Sequence, residues 1–254
     1  MATSNRLAIV LAAGKGTRME SDLPKVLVEI CGRPMIDFVL DALRKAGVNR
    51  VVVVVGYRSD DVRAHLKGYG DVTFVEQTEQ LGTGHAVMVC RDELVDHNGP
   101  VVIVAGDSPL TQSSSIESLF VAFEKEKPAC ILGTTYADDP TGLGRIVRDD
   151  NGEFVGIVEQ KDATPEQQAI REVNMSTYVF DCRQLLDVLA QLTTNNAQGE
   201  YYITDGPGIL RSAGQTVLAL PVLKPCETLS INNMAQLAVA EQELAKQLGG
   251  GAKP

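Results

Sequence analysis

Leu7-Ala8-Ile9-Val10-Leu11-Ala12-Ala13 runs directly into Gly14-Lys15-Gly16-Thr17-Arg18-Met19, and Pro24-Lys25 follows shortly after. The apolar run is short and aliphatic, as a strand buried on both faces requires. It stops abruptly at a loop carrying glycines, a hydroxyl and the cations Lys15, Arg18 and Lys25. Glycines let the backbone turn and let its N–H groups approach a ligand closely. Successive N–H groups of this kind form a nest for anions. Arg18 can grip phosphate oxygens with a planar fork, and Lys25 can act as a mobile point charge. The stretch therefore reads as a nucleotide-phosphate site at the carboxyl end of a first strand, in an α/β chain.

Two better-known phosphate loops do not fit. A P-loop needs a glycine five residues before a Gly-Lys-Ser/Thr run, whereas Gly14-Lys15 is followed by Gly16 and has no such earlier glycine. The dinucleotide fingerprint needs a third small residue where Met19 stands, and methionine is bulky for close packing of helix on strand.

Composition bounds the rest. A chain of 254 residues with 44% hydrophobic residues has ample material for a core. A net charge of −10 and a pI near 4.8 argue against non-specific binding to nucleic acid or to anionic membranes. They leave room for an anionic substrate in a locally cationic pocket. Cys31, Cys90, Cys130, Cys182 and Cys226 are scattered, odd in number and without a C-x-x-C pair, so neither a disulfide framework nor a zinc site is expected. The first apolar run is too short to span a bilayer. The chain reads as cytoplasmic.

After the loop, residues 26–30 read as a short extended segment. Pro34 is placed to open a helix with an apolar stripe of Met35, Ile36, Val39, Leu40 and Leu43, and Gly47 ends it. Buried strands are expected at 51–55, 72–75, 101–104 and 129–135. Helices are expected from Ser59 as a cap, from Thr83 to about Arg91, and over 115–127. Four βα units in a row imply an open, mostly parallel sheet with right-handed crossovers. Between the strands at 72–75 and 101–104, Gln77-Thr78-Glu79-Gln80-Leu81-Gly82-Thr83-Gly84-His85 is too polar for a core. From chemistry alone it suits equally a turn capped by Thr83 and a loop that binds a polar ligand edge. Gln77 can offer a donor and an acceptor together, which matches the edge of uracil. Asp107 follows a central strand directly, where a carboxylate can hold Mg²⁺ or simply cap a turn.

From Tyr136 the texture changes. Asn151-Gly152 between alternating runs predicts a β-hairpin over 145–158. Thr164-Pro165-Glu166 starts a short helix. A strand over 173–180, a helix over 182–192, a strand over 217–222 and an amphipathic terminal helix over 234–248 complete the chain, with Gly249-Gly250-Gly251 behind them. His85 reads as structural. There is no internal repeat.

Leu11 to Met19 with Pro24-Lys25 matches, without a gap, the L-A-A-G-x-G-T-R-M and downstream P-K of the sugar-phosphate nucleotidyltransferases. The chain resembles that family over nearly its whole length, and within it the N-acetylglucosamine-1-phosphate uridylyltransferases. Gln77 to Ala86 is similar to the family's uracil-reading stretch. Pro140 to Ile146 and Ile157 to Asp162 are similar to its P-x-G-x-G-R-I and I-V-E-x-K-D motifs, and Glu200 to Asp205 to a motif that opens a helix.

The resemblance implies a Rossmann-like, mostly parallel mixed sheet flanked by helices, the nucleotide-diphospho-sugar transferase fold, with a small β-hairpin subregion for the sugar. It implies one nucleotidyltransferase domain over residues 1–228, its nucleotide half about 1–135 and its sugar half about 136–228, followed by a terminal helix and tail at 229–254. The substrates would be UTP and a sugar-1-phosphate, joined with release of pyrophosphate. Leu11, Ala12, Ala13, Gly14, Gly16, Thr17, Lys25, Gln77, Gln80, Gly82 and Thr83 would hold the nucleotide. Ala105, Gly106, Asp107, Gly144, Glu159, Asn174 and Asn232 would hold the sugar phosphate. Asp107 and Asn232 would bind Mg²⁺, and Arg18, Lys25 and Asp107 would carry catalysis.

Two departures fall on the sugar side: Ala105-Gly106 stands where the family commonly has Tyr-Gly, and Met175-Ser176 where it usually has Thr-Gly. UTP use thus follows more directly from the resemblance than the sugar does. The bifunctional enzymes so resembled carry a second, acetyltransferase domain of hexapeptide repeats, and none is expected in this chain. The competing readings are a cytidylyltransferase or molybdopterin-type nucleotidyltransferase sharing the first loop, a sugar-nucleotide sensor without turnover and, more distantly, a nicotinamide-dependent dehydrogenase.

Overall fold

The computed structural model describes residues 5–16, 19 and 21–249. The expectations for Thr17 and Arg18 lie outside the described residues.

The first strand, β1 (Leu7–Ala12), sits at the middle of the main sheet. Its continuous apolar sequence has a simple cause: both faces are covered. Leu7 and Ile9 enter one core cluster, and Ala8, Val10 and Ala12 enter the other. A two-residue pair, β2 (Glu29–Ile30) and β3 (Arg33–Pro34), leads into helix α1 (Met35–Lys45). Strand β4 (Arg50–Val55), helix α2 (Ser59–Leu66) and strand β5 (Val72–Glu76) follow. Short helices α3 (Thr83–Met88) and α4 (Arg91–Val95) precede β6 (Pro100–Ala105), α5 (Ser113–Glu126) and β7 (Cys130–Tyr136). The hairpin is β8 (Gly144–Arg148) and β9 (Phe154–Val158). After α6 (Pro165–Gln168) come β10 (Glu172–Asp181), α7 (Cys182–Leu189), α8 (Gly206–Ser212), β11 (Val217–Leu220) and α9 (Met234–Gly249).

The main sheet is ordered β11-β7-β10-β6-β1-β4-β5, with β8 and β9 branching from β10. Every pairing along this path is parallel except those of β10, which runs antiparallel between β6 and β7. The chain goes from β1 to β4 on one side and returns to β6 on the other. That reversal opens a crevice at the carboxyl ends of β1 and β6, where ligands bind in such sheets. A third core cluster clamps α9 onto this edge through Leu237, Ala240 and Leu244 against Met19, Ile30, Met35, Phe38 and Leu110.

Local chemistry explains most boundaries. Gly47 follows α1 with φ +81, the left-handed closing position. Thr164 caps α6 in a capping box with Gln167, and Pro165 takes the first helical position. In the hairpin turn, the Asp149 carboxylate accepts from the N–H groups of Asn151 and Glu153, each at 2.9 Å, and Gly152 has φ +81. Arg145 is wholly buried, with its guanidinium donating to the carbonyls of Leu143 and Gln168 and to the Gln160 amide. It thereby ties the hairpin to the loops on either side.

Several expectations are corrected. Residues 26–30 are not extended throughout: Lys25–Leu27 is a 3-10 turn after Pro24, and only Glu29–Ile30 pairs. Pro34 stands one residue before its helix, at the cap. Ser59 is the first helical residue instead of the cap. Arg58, left-handed at φ +47, takes the cap position, and the Ser59 hydroxyl donates to Glu76 at 3.3 Å. The helix expected to reach Arg91 breaks at Val89-Cys90 into α3 and α4. Helix α7 stops at Leu189, short of residue 192, and β11 stops at Leu220, ahead of Pro221, which has no N–H for the ladder.

Candidate active site

Strand β1 ends at the crevice with its carbonyls in use. Leu11 O accepts from Gly106 N at 2.9 Å, which locks the tips of β1 and β6 together. Ala13 O accepts from Tyr57 N and from Gln80 Nε2, both at 3.1 Å. Gly14 is exposed, and an added Cβ there would meet nothing within 4 Å, so this part of the loop is open to a ligand. Gly16 has φ +64, and a Cβ on it would stand 2.7 Å from the Cβ of Lys25. The loop thus packs its backbone directly on the Lys25 stem. The Lys15 ammonium lies 5.3 Å from the centre of the Tyr57 ring.

Lys25 is the hub of the charged end. Its ammonium is 2.5 Å from Asp107 Oδ2 and donates to Asn232 Oδ1 at 3.2 Å. Asp107 reaches this point because Gly106 lets the backbone pass: a Cβ at Gly106 would come within 3.0 Å of Val10 and 3.1 Å of Leu11 O. Asn232 is steadied by its N–H donating to Gln236 at 2.7 Å and its amide donating to Ser230 at 3.4 Å. Residues separated by 207 positions in sequence therefore meet on one nitrogen.

Magnesium takes hard oxygen ligands, commonly one or two carboxylates together with substrate phosphates. Asp107 supplies a carboxylate and Asn232 an amide oxygen, both aimed at a single cationic group, so the pair fits such an ion. Among the described residues no group of three or more His, Cys, Asp or Glu is placed to hold a metal. An ion here would need substrate oxygens to complete its shell.

Next to this cluster is a cavity of about 320 Å³, lined from β1 by Leu11, Ala13 and Gly14, from the polar loop by Gln77, Gln80, Gly82 and Thr83, and from β6 by Ala105 and Asp107. Seven of the expected nucleotide-binding residues, from two separate stretches, thus border one cavity, whereas Ala12, Gly16 and Lys25 are not among its lining. Gln77 is buried; its Nε2 donates to Gly82 O at 3.1 Å and lies 3.1 Å from His85 Nδ1. Thr83 is not the cap of α3. Gly82 takes that position at φ +106, and the Thr83 hydroxyl accepts from Ile203 N at 3.2 Å. The glycines have a steric cause: a Cβ at Gly82 or Gly84 would fall 2.5 or 2.9 Å from Tyr201 O.

The expected sugar residues Gly144, Glu159 and Asn174 do not line this cavity. They belong to the hairpin and β10, where Gly144 pairs with Asn174. The Asn174 amide is already engaged, donating to the Tyr178 hydroxyl at 2.7 Å and accepting from Ser176 N at 3.3 Å. Ser176, at φ +52 in an irregular stretch of β10, does reach the cavity. Burial pushes the Glu159 carboxyl above its ordinary range; the Thr204 hydroxyl partly offsets this, and the nearby Asp162 and Asp205 add to it.

Sequence reasoning missed Glu200 as cavity lining, carried Ala86 only as the end of the Gln77 stretch and named Ser176 only as a departure. Glu200 lies in a recognised motif, but its place at the cavity depends on the Tyr201 backbone clamping Gly82 and Gly84. No local pattern reports that contact.

The model of the MobA-like NTP transferase domain family matches residues 8–205. Among curated relatives, proteins named "Bifunctional protein GlmU" are 45% identical in Brevibacillus brevis over 96% of this chain and 52% of that protein, and 46% identical in Lactococcus lactis over 96% and 53%. One in Listeria innocua is 42% identical over 96% and 53%. The chain spans about half the length of the curated relatives it matches. Among solved structures, a Bacillus anthracis protein named as a glucose-1-phosphate thymidylyltransferase, in complex with sucrose, superposes with a TM-score of 0.78 over 94% of both chains at 20% identity, a likeness of fold. Among the described residues no helix is long and apolar enough to cross a membrane.

Proposed function

The chain belongs to the family of MobA-like NTP transferase domains, and from that premise we propose that it transfers the uridylyl group of UTP to a sugar-1-phosphate, N-acetylglucosamine-1-phosphate first among them, with release of pyrophosphate. The observation that carries this reading is the Lys25 ammonium, held between Asp107 and Asn232 beside a cavity walled by the β1 loop and Gln77. The 42–46% identity to GlmU proteins over 96% of the chain supports this reading.

In this account the N–H groups around Gly14 and Gly16, with Thr17 and Arg18, hold the triphosphate. Lys25 neutralises charge on the phosphates nearest the reacting centre. Asp107 and Asn232 would hold magnesium, which would supply charge neutralisation at the phosphates. An oxygen of the sugar phosphate attacks the α-phosphorus in line and pyrophosphate leaves, its charge offset by Arg18. The nucleophile is already an anion, so no general base is required. Catalysis rests on positioning and electrostatics, as in other phosphoryl transfers.

Gly144, Glu159 and Asn174 complete the sugar side from the hairpin and β10. Residues to about 135 then serve the nucleotide and residues 136–228 the sugar. The Cys31, Cys90, Cys130, Cys182 and Cys226 thiols are all free, which supports a reducing compartment, the cytoplasm. The direct test of the carrying observation is Lys25→Met assayed for pyrophosphate release from UTP. Loss of release with an unchanged fold supports the assignment, and wild-type rates contradict it.

A further inference from the structure

A buried amide has two ends of opposite polarity, and the end turned to a ligand decides what it can recognise. Gln77 is 5% exposed and borders the cavity. Its polarity is set from behind. Nε2 donates to Gly82 O, and its second hydrogen faces His85 Nδ1, each at 3.1 Å. Nδ1 accepts when the imidazole is neutral and carries its proton on Nε2. The Gly82 carbonyl is held in place. Gly82 is pinned at φ +106 against Tyr201 O, Gly84 N donates to that same carbonyl at 2.7 Å, and Tyr201 N donates back to Leu81 O at 2.8 Å. His85 sits in the first turn of α3, its ring centre 6.4 Å from that of Tyr201. Both amide hydrogens are therefore used, and Gln77 Oε1 is left without a partner among the described residues.

We propose that His85 is a specificity-determining residue of the base site: by accepting from Gln77 it holds the amide carbonyl outward, so that the site takes a pyrimidine with a hydrogen on its ring nitrogen, uracil or thymine, and rejects cytosine, whose ring nitrogen is a bare acceptor. This rests on reading the cavity as a pyrimidine-nucleotide site, but it concerns the residue that sets the polarity of Gln77, not Gln77 itself. To receive cytosine the amide would have to rotate. Its oxygen would then face Gly82 O and, with the imidazole proton on Nε2, His85 Nδ1, two acceptor–acceptor contacts in a buried place. Removing the imidazole cancels one of them and loosens the lock. His85 acts through Gln77 and is a positioning residue.

The experiment compares dissociation constants of UTP and CTP by calorimetry for the wild type, His85→Leu and His85→Asn. Asparagine places an acceptor oxygen close to the position of Nδ1. His85→Ala, which adds no bulk, repeats the comparison should leucine disturb α3. The wild type binds UTP in preference to CTP. His85→Leu lowers that ratio roughly tenfold, about the worth of one hydrogen bond, and His85→Asn restores it. If His85 only packs α3, both affinities move together and the ratio stays, which overturns the proposal while leaving the base site standing. If the wild type does not distinguish UTP from CTP, the reading of the site fails and the proposal fails with it.

Discussion

Lys25 joins the three parts of the charged site, and single substitutions around it should separate chemistry from folding. Lys25→Ala removes the cation shared by Asp107 and Asn232. Turnover should fall by roughly 10²-fold or more, as when a positioned electrostatic group is lost, with little change in the thermal midpoint. Pyrophosphate release and circular-dichroism melting check the two halves of that statement. Gly16→Ala acts on the same residue from below. Its φ of +64 disfavours a side chain, and the new methyl would stand 2.7 Å from the Lys25 Cβ. It should cost about 1–2 kcal/mol of stability and depress turnover far more than that loss of folded protein explains. At this scale the sequence was legible wherever backbone freedom and charge coincide: Gly16, Lys25, Gly106 and Asp107 lie where the motifs put them. It read His85 as structural, Ser176 only as a departure and Glu200 only as part of a motif, because the place of each depends on a segment distant in the chain or on a local departure from strand geometry. Nor did it announce that the Asn174 amide donates to the Tyr178 hydroxyl and accepts from the Ser176 N–H.

Among the elements, β1, β4 and β6 were plain from their unbroken aliphatic runs, because strands covered on both faces need no polar alternation. The hairpin was plain from Asn151-Gly152, and α6 from its capping residues. Short elements were not. The 3-10 turn at Lys25–Leu27 has no period of its own, and the break between α3 and α4 falls within an apolar stretch that would suit a continuous helix. The hairpin also carries a pH signature. Burial raises the Glu159 carboxyl from 4.5, and burial likewise raises Asp205 from 3.8. A carboxyl that binds its proton more tightly when folded makes the folded state the more protonated one in that window. Stability contributed by Glu159 should therefore be full below pH 4.5 and decline as pH rises through its elevated folded value. Urea unfolding from pH 4 to 8 should show that decline, and Glu159→Gln should flatten it. A decline of unchanged slope in the variant would remove Glu159 as its source.

Across the whole molecule, the site is assembled from both ends of the chain on one edge of the sheet. Helix α9 buries Leu237 and Leu244 against Met19, Ile30 and Phe38, and Asn232 stands just before that helix. Leu237→Ala should cost about 2–5 kcal/mol in urea unfolding, the usual range for emptying a core leucine, and should weaken turnover because the segment carrying Asn232 loosens with it. The mostly parallel sheet was legible from the succession of βα units. The insertion of β10 antiparallel between β6 and β7 was not, since it pairs Val179 with both Val102 and Ile131, contacts no local pattern announces. The claim that binds these scales together is uridylyl transfer at the crevice between β1 and β6. Its most direct test is pyrophosphate release by the wild-type protein with UTP and Mg²⁺ across a panel of sugar-1-phosphates. Release should depend on UTP and on the sugar phosphate and be fastest with N-acetylglucosamine-1-phosphate; no release with any member of the panel would contradict uridylyl transfer at this crevice.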